Sequence, residues 1–174
     1  MQWQTVLYLP KLFSLVDSQT VTRNEQSVTV ERYQAERGIT PNNQHITVIL
    51  DHYNQLVSYN NSAFIAQGAI PDRDEATSIA LHTFEILMSE YKKEMNLIKV
   101  EYQKRGYIDL SGHVIEVPVL WVKFAHKNGS FGWATVGPNA QIIELERDAL
   151  WSTTNGERET EMWNDDTWVL ARKK

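Results

Sequence analysis

Much of this chain alternates between apolar and polar residues, the period-two pattern of a strand with one buried face. Val28, Val30 and the polar Thr29 and Glu31 between them predict a strand over residues 28–33. Ile46, Val48 and Leu50 predict a second over 45–51, and residues 51–54 turn the chain into a returning strand at 55–59. The period becomes helical after Pro71. Asp72 is placed to cap, Glu75 follows three residues later, and Ala76, Ile79, Ala80, Thr83, Leu87, Met88, Tyr91 and Met95 form one stripe. That stripe predicts an amphipathic helix of about six turns. A looser helical spacing of Trp3, Val6, Leu7, Leu12, Leu15 and Val16 predicts helix over residues 3–16, interrupted at Pro10.

Period two returns at Ile98, Val100 and Tyr102. Gly106 and Gly112 predict a turn within 105–113, followed by a long strand over 114–126 with a bulge or edge at Pro118. Asn128-Gly129 predicts a type I′ turn, 131–136 the partner strand, 137–140 a further turn and 141–146 the last strand of a meander. Trp168, Val169 and Leu170 suggest a terminal strand. The fold class is therefore α+β, with antiparallel β-meanders packed on an amphipathic helix.

Read at this level the chain repeats, each half being a helix followed by strands. Residues 1–62 form a first αβββ-like unit, 71–147 a second αβββ unit, and 148–174 a Trp-rich extension packing on the core. The helix opening Asp74-Glu75-Ala76-Thr77-Ser78-Ile79-Ala80-Leu81 resembles that of the PepSY-like family, and so does the hairpin formed by 46–51 and 55–59. The preceding Arg37-Gly38-Ile39-Thr40-Pro41 is similar to tandem repeats in some secreted proteins of spore-forming bacteria. Asn54 stands where that family's Asp-led turn has glycine. The resemblance implies a non-catalytic interaction or regulatory module, often associated with the cell envelope, and carries over no catalytic residue.

Composition narrows the chemistry. The 174 residues contain no cysteine, which excludes disulfides, thiolate-bound metal and cysteine nucleophiles. A net charge of −5 argues against nucleic acid or an anionic membrane as the main partner. No apolar stretch approaches the ~20 residues of a membrane span. The N-terminus lacks the basic and apolar regions of a signal peptide. The compartment is cytoplasmic if Met1 is native, and envelope or extracellular if a signal peptide was removed.

The five histidines, His45, His52, His82, His113 and His126, show no metal-ligand spacing. His82 with Glu85 supplies only two ligands. His45, His52 and Asp51 bracket one strand and could share a site, although strand-end histidines commonly serve as partly exposed hydrogen-bonders. The acid pairs each have a simpler account: Asp72, Asp74 and Glu75 start a helix, Glu144 and Glu146 form the solvent side of an alternating strand, and Asp165 and Asp166 sit in a turn. No catalytic residue, metal site or cofactor is expected. Six tryptophans stand out. Trp121, Phe124, Phe131 and Trp133 flank the Asn-Gly turn, and cross-strand packing is their simplest role. Two functional readings follow. One is a binding module that holds a peptide or protein partner on an open sheet face or edge, with a homodimer as a further option. The other is a small-molecule or enzymatic cone with a pocket between helix and sheet lined by Trp121, Trp133, Tyr102 and His126.

Overall fold

The computed structural model describes residues 2–63, 67–109 and 111–173. Met1, Leu110 and Lys174, which belong to the expected units and turn, lie outside the described residues. Eight antiparallel strands form one sheet: β1 (Ser14–Arg23), β2 (Gln26–Gln34), β3 (Ile46–Leu50), β4 (Leu56–Asn61), β5 (Met95–Ile108), β6 (Val114–His126), β7 (Phe131–Val136) and β8 (Ile142–Ala149). Between β4 and β5 lie the helices α1 (Arg73–Leu87) and α2 (Ser89–Lys92), and α3 (Asp166–Leu170) lies near the C-terminus. The spatial order is β1-β2-β3-β4-β8-β7-β6-β5. Two four-stranded meanders thus meet last strand to last strand, through Ser58↔Glu146, Tyr59↔Leu145 and Asn60↔Glu144.

Three of the hairpins use the same turn. Asp51, Asp109 and His126 each donate a backbone N–H to the carbonyl four residues on, at 2.9 Å. The carbonyls of Asp51, Asp109 and His126 themselves accept from the third residue on, Asn54, Gly112 or Gly129, and that residue takes positive φ. At Asp51 and His126 this is a type I turn closed by a bulge residue in the left-handed region, and the Asp109 hairpin is closed by the same pair of backbone bonds. The side chain of the first residue reinforces it. Asp51 Oδ1 accepts from Tyr53 and Gln55, Asp109 Oδ1 from Ser111 and His113, and His126 Nδ1 from Asn128. The expected type I′ turn at Asn128-Gly129 is therefore corrected, since only Gly129 of the two has positive φ. Asn54 (φ 63°) does the work of a glycine in the first hairpin.

One face of the sheet, the helix face, carries a continuous apolar cluster. Trp3, Tyr33, Ile46, Val48, Tyr59, Leu120, Val122, Phe124 and Leu145 are buried together with Ala76, Ala80 and Phe84 of α1. Phe84 meets Phe124 edge to face, with ring centres 5.6 Å apart. Asp72 caps α1 by accepting from the Glu75 N–H at 2.8 Å. The six-turn helix is not present. α1 stops at Leu87, and Met88 leaves helical geometry (φ −142°, ψ 47°) before α2. Both Met88 and Tyr91 are buried beyond the break. Tyr91 lies so close to β7 that a Cβ on Gly132 would fall 2.9 Å from its ring and 3.0 Å from the Glu146 carbonyl.

Further expectations are corrected. Residues 3–16 are not a helix: Trp3–Thr5 form one 3-10 turn, and Ser14 already begins β1. Pro10 prevents continuation, and Val16, Thr20, Val21 and Thr22 favour strand. The expected turn at 105–113 is narrower, because β5 runs on to Ile108. The terminal strand at residues 168–170 is helix α3, capped by Asp165 Oδ1 accepting from Thr167 and Trp168. Pro118 sits opposite Lys104, on the part of β6 beyond the end of the β7 pairing. Its missing N–H therefore leaves no ladder bond unmade. No helix among the described residues is long and apolar enough to cross a membrane.

Candidate binding site

The four residues expected to line one pocket separate onto two faces. Register alternation places Tyr102, opposite Leu120, and His126 on the helix face, and Trp121 and Trp133 on the other. Tyr102 is 55% exposed and lies under the Arg73 guanidinium. His126 stacks on Tyr91 at 4.2 Å and borders a 1170 Å³ groove between the N-terminal turn and the end of α1. Trp121 and Trp133 are brought together, at 6.0 Å. Trp151, from the C-terminal segment, joins them at 5.7 Å from Trp133. The Lys123 ammonium sits within 5.0 Å of the rings of Trp121, Phe131 and Trp151. Burial, and secondarily Lys99, lowers the pKa of that amine. Its own lysine fills this aromatic box.

The C-terminal segment, residues 148–173, lies along this second face, which we term the tail face. Trp163 donates its indole N–H to Thr22 O at 2.8 Å, and the Leu150 N–H donates to Thr160 Oγ1 at 2.8 Å. Beneath it Glu146 is not on a solvent side, as its strand alternation suggested, but buried under the C-terminal segment, accepting from Arg23, Arg158 and Ser58, each at 2.8 Å. Burial alone would raise its pKa, but Arg158 and Arg23 hold it below the ordinary carboxylate range. Asp166 is held low in the same way, against its own burial, by Arg32 and the Asn42 N–H. Arg105 pairs with Glu144 through two bonds, at 2.9 and 3.2 Å.

These pairs surround a 480 Å³ cleft. Its floor is His45, Asn60 and Glu144, one wall is the β5–β6 hairpin at Tyr107 and Ile108, and the other is the tail at Arg158, Met162 and Asn164. His45 is 4% exposed. Its Nδ1 lies 2.7 Å from Asn43 O, a carbonyl, so Nδ1 carries the proton. Burial, then Arg32, lowers the ring's pKa and keeps it neutral. Nothing in the sequence around His45 marked it as the floor of a cleft, because Asn60, Glu144 and Asn164 reach it only through the fold. No group of three or more His, Asp or Glu among the described residues could hold a metal ion.

The sheet also ends on an open strand. β5 pairs with β6 on one side and closes the strand order on the other. The Asp109 N–H bonds to His113 across the hairpin, whereas Val100 O accepts from Arg73 of α1. Odd-numbered residues therefore bond inward to β6. Tyr102, Lys104, Gly106 and Ile108 turn their backbone groups outward. Leu97 (47% exposed) and Ile98 (51%) flank a bulge that limits the regular edge to the segment from Lys99 onward.

No protein-family model matches the chain, and no curated protein or solved structure matches it significantly.

Proposed function

We propose that this protein is a non-catalytic binding or regulatory module that holds an extended segment of a protein partner by adding it as a ninth strand beside β5. The observation that carries this reading is the outward backbone of the β5 edge from Tyr102 to Ile108, which pairs with no strand among the described residues. An unpaired edge of this length is a template for main-chain hydrogen bonds. Exposed Tyr102 beside it supplies side-chain contact. The PepSY-like resemblance supports the same class of function. In the sense of that resemblance the two meanders are two units, the second covered by α1 and the first by the short turn at Trp3.

The test uses peptides selected from a randomised extended library. Lys104→Pro removes one outward N–H and places proline opposite Pro118, where the fold already tolerates one. The expected result is unchanged melting, at least tenfold weaker peptide binding, and amide-exchange protection by peptide confined to Tyr102, Lys104, Gly106 and Ile108. Selected peptides that protect other segments, or that bind Lys104→Pro equally well, would refute the proposal. So would protection of those amides by a second copy of the chain in concentration-dependent dimers.

A further inference from the structure

The open edge of β5 has unlike ends. At its start the Arg73 side chain leaves the first turn of α1 and donates to Val100 O, with its guanidinium 5.0 Å from the centre of the Tyr102 ring. Arg73 is exposed, and no carboxylate among the described residues pairs with it. Its bond to Val100 O takes the main-chain acceptor just before the open segment, and the bulge between Leu97 and Lys99 ends the regular ladder behind it. A guest strand therefore stops pairing at Arg73. At the far end Ile108 is followed by Asp109, whose carboxylate accepts from the Ser111 and His113 N–H groups.

The cations of β5 itself are matched within the protein. Lys99 pairs with Glu101, Lys104 reaches Glu116 at 4.0 Å, and Arg105 pairs with Glu144. The edge is thus positive beside Val100 and negative past Ile108, and this ordering selects a direction. A strand laid antiparallel to β5 brings its C-terminal end to Arg73 and its upstream end toward Asp109. A parallel strand would bring its N-terminal end to the guanidinium. A guanidinium already held by a carbonyl and a ring keeps further N–H donors for a carboxylate and loses little freedom in using them. Asp74 and Glu75, exposed on the same turn of α1, weaken that attraction and keep the expected gain modest.

We infer that the strand added at β5 is the free C-terminal tail of a partner protein, laid antiparallel, with its terminal carboxylate on the Arg73 guanidinium. The inference rests on strand addition at β5 and specifies which end of the partner arrives there.

The test selects peptides against the full chain from a randomised library displayed with free C-termini, then synthesises each as the acid and as the C-terminal amide. The acid is expected to bind about fivefold more tightly than the amide at low salt, and the difference should shrink at high salt. Arg73→Gln, which keeps a donor for Val100 O, should weaken the acid about fivefold and leave the amide unchanged. Direction is read separately. Because the chain has no cysteine, a cysteine in the peptide is the sole attachment point for a nitroxide. Beside the peptide's C-terminal residue the nitroxide should broaden the Tyr102 amide, and at its N-terminus the Ile108 and Asp109 amides. Protection of Tyr102, Lys104, Gly106 and Ile108 that weakens in Lys104→Pro reports strand addition by itself. With that protection present, equal binding of acid and amide, undiminished acid binding by Arg73→Gln, or broadening in the reverse order would overturn the C-terminal assignment alone. Absence of edge protection by every selected peptide would overturn both readings.

Discussion

The two faces of the sheet are covered in opposite ways. On the helix face, α1 lays Ala76, Ala80 and Phe84 over a cluster that includes Phe124, Val122 and Leu145. On the tail face, an almost helix-free segment lies over arginines, carboxylates and amides, with smaller apolar groups around Val30 and Ile49 and around Val119 and Ile143. The first cover is non-directional and tolerates rearrangement among apolar side chains of similar volume. The second depends on individual bonds, since an arginine or glutamate sealed from water must find its partner. Buried polar groups therefore collect on the tail face, and that is where the cleft floored by His45 occurs.

The sharpest way to break this contrast is one substitution on each face. Phe84→Ala is expected to cost about 4 kcal/mol in urea unfolding, by lost burial and the cavity left. The cost should hardly vary with pH. Glu146→Gln is expected to cost about 3 kcal/mol at neutral pH, because Arg23 and Arg158 lose their shared counterion. Its sign with pH is fixed by linkage. The folded pKa of Glu146 is depressed, so its stabilisation is present above the unfolded carboxylate value and is lost as pH falls through the folded one. The gap between wild type and Glu146→Gln should therefore close in acid while the Phe84→Ala gap persists. Equal pH profiles for the two variants would erase the distinction between the faces.

A smaller effect tests the close approach of Tyr91 to β7. Gly132→Ala would put a methyl group against the Tyr91 ring and the Glu146 carbonyl, and should cost about 2 kcal/mol. Gly38→Ala, with open space around its Cβ position, serves as the control. The smallest effect concerns His45. Its folded pKa lies below the ordinary value of about 6.5, so the unfolded chain takes up the proton first. Its contribution is complete above that value and declines as pH falls below it, ahead of the carboxylate-driven loss. His45→Gln should flatten this shallow limb in melting temperature below about pH 6.5. An unchanged limb would mean that His45 is not held neutral.

Period-two patterning read β2, β3, β4, β6 and β7 correctly because each pairs a buried face with turn residues at its ends. It missed β1, whose burial is slight and irregular, so that Leu15 and Val16 fitted a helical spacing as well as a strand. The stripe from Ala76 to Met95 was misread as one helix because Met88 interrupts the backbone without a glycine or proline to announce it. The tail was misread as strand because Trp168, Val169 and Leu170 favour β locally, whereas the Asp165 side chain caps a helical turn there. Of the candidate residues, Trp121 and Trp133 were legible as neighbours across one hairpin. His126 lies five residues beyond Trp121 on the same strand, so alternation alone already put it on the opposite face, whereas Tyr102 could not be assigned a face without the register of β5 on β6.

The residue pattern by itself determined an antiparallel, hairpin-rich α+β chain with a capped helix after Pro71, because alternation, turn residues and caps act over a few neighbours. Only the tertiary structure decided that the two meanders join at β4 and β8, that Glu146 is sealed between Arg23 and Arg158, and that His45 shares a cleft with Asn164. Apart from Glu146 with Arg158, those pairings span about a hundred residues of chain, and short-range preferences carry no information about which distant partners will meet.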